Sequence, residues 1–252
     1  MNYKIKINEW TDGFIKAWYI AKKDIKVYFF KAPNFTYSLL IPISLFLAFS
    51  IGTKINPIVM ISGLTAIVIL FGTTSIEAVS VVLEKQTGTF ERLLTAPISF
   101  FYIILGKALA GTLFGLSTAI IIIIPLILIS GTFIINPYLI VVAIITSSLC
   151  FSALGVLIST YAKWVPEAQM ISNFIRFPMV FICGTFISFE LLPIQQRIIA
   201  SFLPLTYSIE TLRSSISEPI ISLNYIFNIL ILTLFTFVFL IMAVFVLKKR
   251  IT

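Results

Sequence analysis

Few residues in this chain could do chemistry, and they are unevenly placed. Four charges, Glu84, Lys85, Glu91 and Arg92, crowd into "LEKQTGTFERLLTAPIS", residues 83–99, with strongly apolar sequence on either side. Two more, Glu77 and Arg176, stand inside apolar runs. There is no His, which removes the commonest general base and the commonest metal ligand. No G-x-x-x-x-G-K-S/T occurs; "LGKAL" supplies Gly106 and Lys107 but lacks the glycine-rich lead and a following Ser or Thr. There is also no G-x-S-x-G and no acidic cluster with metal spacing. Cys150 and Cys183 lie in apolar runs without C-x-x-C spacing and read as small buried residues. An internal catalytic or metal site is therefore not expected.

The elements that must hold these charges are set by hydropathy. The 252 residues are 59% hydrophobic and only 11% charged, with mean hydropathy +1.08. A soluble domain carries about 25% charged residues, so this composition points to an integral membrane protein. About 20 apolar residues cross a hydrocarbon core, and six such stretches are expected. They run over Phe35–Gly52, Pro57–Leu83, Tyr102–Ile129, Pro137–Tyr161, Ala168–Phe189 and Leu223–Leu247. Pro42, Pro125 and Pro178 fall inside spans, where membrane helices tolerate them. The whole chain reads as one all-α transmembrane domain, residues 1–252.

The net charge of +8 flanks the spans rather than forming one stripe, so a nucleic-acid surface is not implied. With the N-terminus inside, 14 Lys and Arg fall on the cytoplasmic side and 3 outside. The positive-inside rule then makes both termini cytoplasmic. Residues 1–32 hold an amphipathic stretch. Ile7, Trp10, Phe14, Trp18, Ala21, Ile25 and Phe29 recur at helical spacing, with Glu9, Asp12, Lys16, Lys23 and Lys26 largely between them. That pattern suits a helix in the membrane interface, as a plain anchor or as one that also touches a partner. Gly111, Gly115 and Ala119, and likewise Ser148, Ser152, Gly155 and Ser159, form stripes of small residues for close helix packing. Residues 190–221 mix charges and prolines with apolar pieces too short to span, as re-entrant or interfacial helices do.

Within this frame residues 84–99 are a cytoplasmic link. Gly88 permits a sharp turn. Thr89 is placed to cap a short helix, with Glu91 in its first turn complementing the dipole. Phe90, Leu93 and Leu94 share a face, and Pro97 stops the helix. Such a helix suits docking into another protein's groove. Glu77 lies about 9 Å from the cytoplasmic end of its span and Arg176 roughly 14 Å into its own. Intramembrane charges pair or face a watery cavity, so the two are expected to pair or to share one cavity.

The link resembles the signature of type-2 ATP-binding-cassette exporter permeases, the daunorubicin-resistance and multidrug group. The matching positions are Glu84, Lys85, Gly88, Thr89, Glu91, Leu93, Pro97, Ile98, Ser99, Gly106 and Lys107. "NFIRFPMVFICGTFISFELLP" resembles the group's fifth span and outer loop, through Asn173, Pro178, Gly184 and Pro193. "LPLTYSIETLR" resembles its outer segment before the last span, through Pro204, Leu205, Thr206 and Arg213; "KAPNFTYSLLIP" resembles its first span, through Pro33 and Pro42. The resemblance implies a plasma-membrane export permease that forms a pore unit with a second copy or a sister permease. Each permease would bind a separate ATPase subunit, which carries ATP and Mg. Residues Glu84, Lys85, Gly88, Thr89, Glu91, Arg92, Leu94 and Pro97 would then be the coupling helix, and the loop with Pro193, Pro204 and Arg213 the outer gate. A hydrophobic or amphipathic cargo is expected; a polysaccharide or lipid-linked glycan is the alternative. A membrane-embedded enzyme or scaffold would leave the 84–97 helix without a reason.

Overall fold

The computed structural model describes residues 2–29, 39–45, 47–48, 56–133, 135–187, 191–217 and 221–251. Every regular element among them is helical. Helix α1 (Asn2–Asp24) runs into a π-helical turn, Ile25–Phe29. The long helices are α2 (Pro57–Gln86), α4 (Phe100–Ser130), α5 (Pro137–Tyr161) and α9 (Leu223–Ile251). Between them lie α3 (Thr89–Leu94), α6 (Val165–Ile182), α7 (Ile194–Ala200) and α8 (Pro204–Ser217).

Four helices among the described residues, α2, α4, α5 and α9, are long and apolar enough to cross a membrane. The first expected span falls mostly outside the described residues; its 39–45 and 47–48 pieces are helical. The fifth, expected over Ala168–Phe189, is shorter than the sequence suggested. Helix α6 stops at Ile182, where Cys183 and Gly184 turn the chain and Gly184 takes φ 71°. Its 18 residues span about 27 Å at 1.5 Å each.

Helix α2 is the centre of the bundle. Of its most apolar window 89% is buried, against 22% for α9, so α2 is a core helix and α9 a peripheral one. It is apolar all round, and α4, α5, α6 and α8 pack on it. Asn56 caps it, its Oδ1 accepting from Ile58 N at 2.9 Å, with Pro57 at the first position. The small-residue stripes do let helices approach: Ser152 Oγ on α5 donates to Ala108 O on α4 at 2.8 Å. Phe227, Leu230, Leu234, Phe237, Ile241 and Phe245 of α9 remain exposed, an exterior suited to lipid.

The stretch between α6 and α9 forms two short helices. Helix α7 keeps Ile194, Ile198 and Ile199 exposed. Helix α8 is buried through Leu205, Ile209, Leu212 and Ile216, which join the main apolar core. Ser208 Oγ donates to Ser147 Oγ of α5 at 2.8 Å, and Tyr225 Oη of α9 to Leu139 O at 2.7 Å.

Candidate functional site

The expected cytoplasmic link is built from three pieces rather than one helix. Residues Glu84 and Lys85 belong to the last turn of α2, which continues to Gln86. Only Thr89–Leu94 form the short helix, and Pro97 lies in the bend beyond it. Gly88 makes the corner at φ 69°, a conformation that costs other residues about 1 kcal/mol or more. The cap expected from Thr89 is not there. Gly88 holds the cap position, and Thr89 is already helical. Its Oγ1 instead donates back to Glu84 O at 3.2 Å, tying α3 to the end of α2.

The face of α3 is set by its apolar ridge. Phe90 is 3% exposed, packed with Val81, Ile103, Ile104, Leu157 and Leu247; Leu93 and Leu94 lean on the same cluster. The ridge thus turns into this chain's own core, because apolar surface is driven to the nearest dry face. What α3 presents outward is polar: Thr89, Glu91 and Arg92 are exposed, as is Pro97. Lys85 Nζ donates to Ser159 O and Thr160 O at the end of α5 and lies 5.9 Å from the Phe90 ring centre. Beside α3 opens a groove of about 540 Å³, lined among others by Phe90, Glu91, Leu94, Lys163, Trp164 and Leu247. The ends of α2, α5 and α9 and the start of α4 therefore meet at one seat that carries Glu91 and Arg92.

Glu84 does a different job from Glu91. It is 2% exposed, as is Asp24, and Lys107 is fully buried. Lys107 Nζ is hydrogen-bonded to Asp24 Oδ2 at 2.8 Å and to Glu84 Oε2. Lys23 pairs with Glu84 Oε1 and sits 3.0 Å from Asp24 Oδ1. Two acids and two bases thus form a closed knot joining α1, α2 and α4. Asp24 and Lys107 were not singled out as site residues from sequence. Beside the knot, burial first and the Glu84 carboxylate second push the Tyr28 phenol up to about 12.

Helix α1 reaches the knot with its small face inward. Gly13, Ala17, Ile20 and Ala21 are buried, while Phe14, Ile15, Trp18 and Tyr19 are exposed. Of the ridge read from sequence, Phe14 and Trp18 thus lie on the outer face, fit for a membrane interface, while Ala21 and Phe29 turn inward. A Cβ on Gly106 of α4 would lie 2.6 Å from Ala17 O, so the two backbones touch there. Lys16 Nζ donates to Pro97 O at 3.2 Å, a direct tie from α1 to the bend after α3.

Glu77 and Arg176 are both buried, at 1% and 2% exposure, but they form no ion pair. Glu77 packs against Gly111 of α4 and Gly155 of α5, with the Asp24–Glu84–Lys107 knot as its charged surroundings. Arg176 on α6 lies against the Phe71 ring, 5.2 Å from its centre. Phe71 and Glu77 are six residues apart on α2, so they point about 120° apart. Helical phase, together with about 9 Å of rise along α2, keeps the two charges separate. Between α6 and α9, Pro193 is exposed at the start of α7 and Pro204 is buried at the start of α8. Arg213 pairs with Glu210 within α8.

A family model described as ABC-2 type transporter matches residues 16–217. The match runs from α1 to the end of α8 and takes in the charge knot, α3, Glu77 and Arg176. No curated protein matches the sequence significantly. Given that coverage and the membrane-crossing helices inside it, the chain belongs to the ABC-2 type transporter family, as a multi-pass membrane permease subunit of an ABC transporter.

Proposed function

We propose that the chain exports a hydrophobic or amphipathic substrate across the cell membrane, driven by a separate ATPase subunit. On this reading six helices span the membrane, the expected first span and α6 completing α2, α4, α5 and α9. Both termini are cytoplasmic, and the 14-to-3 bias of Lys and Arg supports that orientation. The ATPase holds ATP and Mg. A second copy, or a sister permease, completes the pore. Helix α3 is the coupling helix, and α7 and α8, with Pro193, Pro204 and Arg213, close the outer exit. Nucleic acid plays no part.

One observation carries the coupling assignment. Helix α3 shows Glu91 and Arg92 to solvent while Phe90 locks it to α2, α4, α5 and α9. A push on those two charges is therefore delivered to the long helices rather than lost in a loose loop. A mobile connector with no buried anchor would not transmit it.

The test uses the permease reconstituted with its ATPase. Glu91→Ala and Arg92→Ala, both at exposed positions of α3, are expected to insert and fold, yet to lose most substrate-stimulated ATP hydrolysis. Wild-type stimulation in both variants would remove α3 from the coupling role.

A further inference from the structure

Among the described residues, the two most deeply buried cations are treated differently. Lys107 is held by two carboxylates. Arg176, 2% exposed, is held by none. Its Nη1 donates to Asn173 Oδ1 at 3.3 Å, and its Nε and Nη2 have no hydrogen-bond partner. One turn earlier on the same face, Ser172 Oγ is also buried and unpartnered. Arg176 is 11 residues from the start of α6, so about 17 Å along it. That is too far for the side chain to place its charge in water at that end. The Phe71 face offsets part of the cost of burial, but it satisfies no N–H donor. A buried guanidinium left short of acceptors is costly, and inside a membrane such a group marks a functional site.

Next to it the exposed face of α6 offers an open, largely apolar surface. An open groove of about 740 Å³ runs along α6, lined among others by Met170, Asn173, Phe174 and Phe177. Asn173 and Phe177 form the layer between groove and guanidinium. Asn173 bonds Arg176 directly, and Phe177 stacks edge-on against Phe71, with ring centres 5.8 Å apart. Resting on the export reading above, we infer that this groove binds a transported amphiphile with an anionic headgroup, a phosphate or carboxylate. The tail lies along Met170, Phe174 and Phe177. The headgroup takes the free donors of Arg176 once Phe177 swings aside. Arginine suits the task, since its planar fork matches phosphate and carboxylate oxygens.

The test is direct binding to the purified permease in phosphatidylcholine nanodiscs, without the ATPase, so it does not depend on transport. The probes are dodecyl phosphate and dodecanol, which share a tail and differ in charge. Wild type is expected to prefer the phosphate by about tenfold or more, the factor a charged hydrogen bond supplies. Arg176→Gln abolishes that preference and keeps dodecanol binding. Asn173→Asp also abolishes it, because a carboxylate beside Nη1 satisfies the guanidinium from within. Thermal unfolding separates this from a structural role: both variants hold or raise the melting temperature. No preference in wild type, a preference that survives both substitutions, or a lower melting temperature with both probes lost would overturn the inference. In nanodiscs that also contain phosphatidylglycerol the preference is expected to persist; its loss would make bilayer lipid the occupant and refute the cargo assignment. If the preference behaves as stated while hydrolysis by the reconstituted complex ignores dodecyl phosphate, the site stands and the export reading fails for that cargo.

Discussion

Glu84 and Glu91 stand seven residues apart in one charged stretch, and their surroundings give them opposite tasks. Glu91 is exposed in the first turn of α3. Its setting was legible in the sequence, because a glycine turn, a helix start and a following apolar pair are all local signals. Glu84 was grouped with it, but its partners are remote. Lys107 is 23 positions from Glu84 and 83 positions from Asp24. No local pattern announces such a knot. Lys107→Met would leave two buried carboxylates with one half-exposed Lys23 between them, and should destabilise the fold by about 3–5 kcal/mol. The double variant Lys107→Met with Glu84→Met leaves Lys23 and Asp24 balanced. Chemical denaturation in detergent should find it more stable than Lys107→Met alone; equal or lower stability would mean that charge balance does not govern the knot.

Among the elements, the long apolar helices were the easiest to read, since hydropathy over 25 residues or more leaves few alternatives. The expected Pro137–Tyr161 is α5 as observed, and α2 and α4 extend their expected spans by one to three residues. Faces were harder. Helix α1 shows large aromatics that catch the eye, yet it docks through Gly13, Ala17 and Ala21, because only small residues let it approach α4 at Gly106. Gly106→Leu should lift α1 from its seat. Hydrogen exchange would then quicken through residues 13–24 while α2 and α5 stay protected; unchanged protection in α1 would contradict the close contact. For α3 the apolar ridge was expected to meet a partner, and it meets the bundle instead. Phe90→Ala should therefore cost about 3–5 kcal/mol of stability, as well as coupling. A variant with normal stability and lost coupling would place Phe90 at the partner's surface after all.

At the level of the whole molecule, the proposed coupling role puts a soluble partner and a membrane on different surfaces of one chain. The exterior of α4 and α9 is apolar, suited to lipid, and the polar edge of α3 stands at one end of the bundle. The central claim is that this edge is where the ATPase grips. Native thiols leave room for a clean test, since Cys150 and Cys183, the two cysteines of the chain, are both buried. A cysteine at Glu91 would therefore be the reactive one. The most direct measurement is disulfide or short-bridge cross-linking of Glu91→Cys permease to cysteines on the ATPase in the assembled complex, with Phe133→Cys, 90% exposed just beyond α4, as the control. The account predicts a permease–ATPase adduct from position 91 and none from position 133. No adduct from position 91, or equal adducts from both, would contradict it.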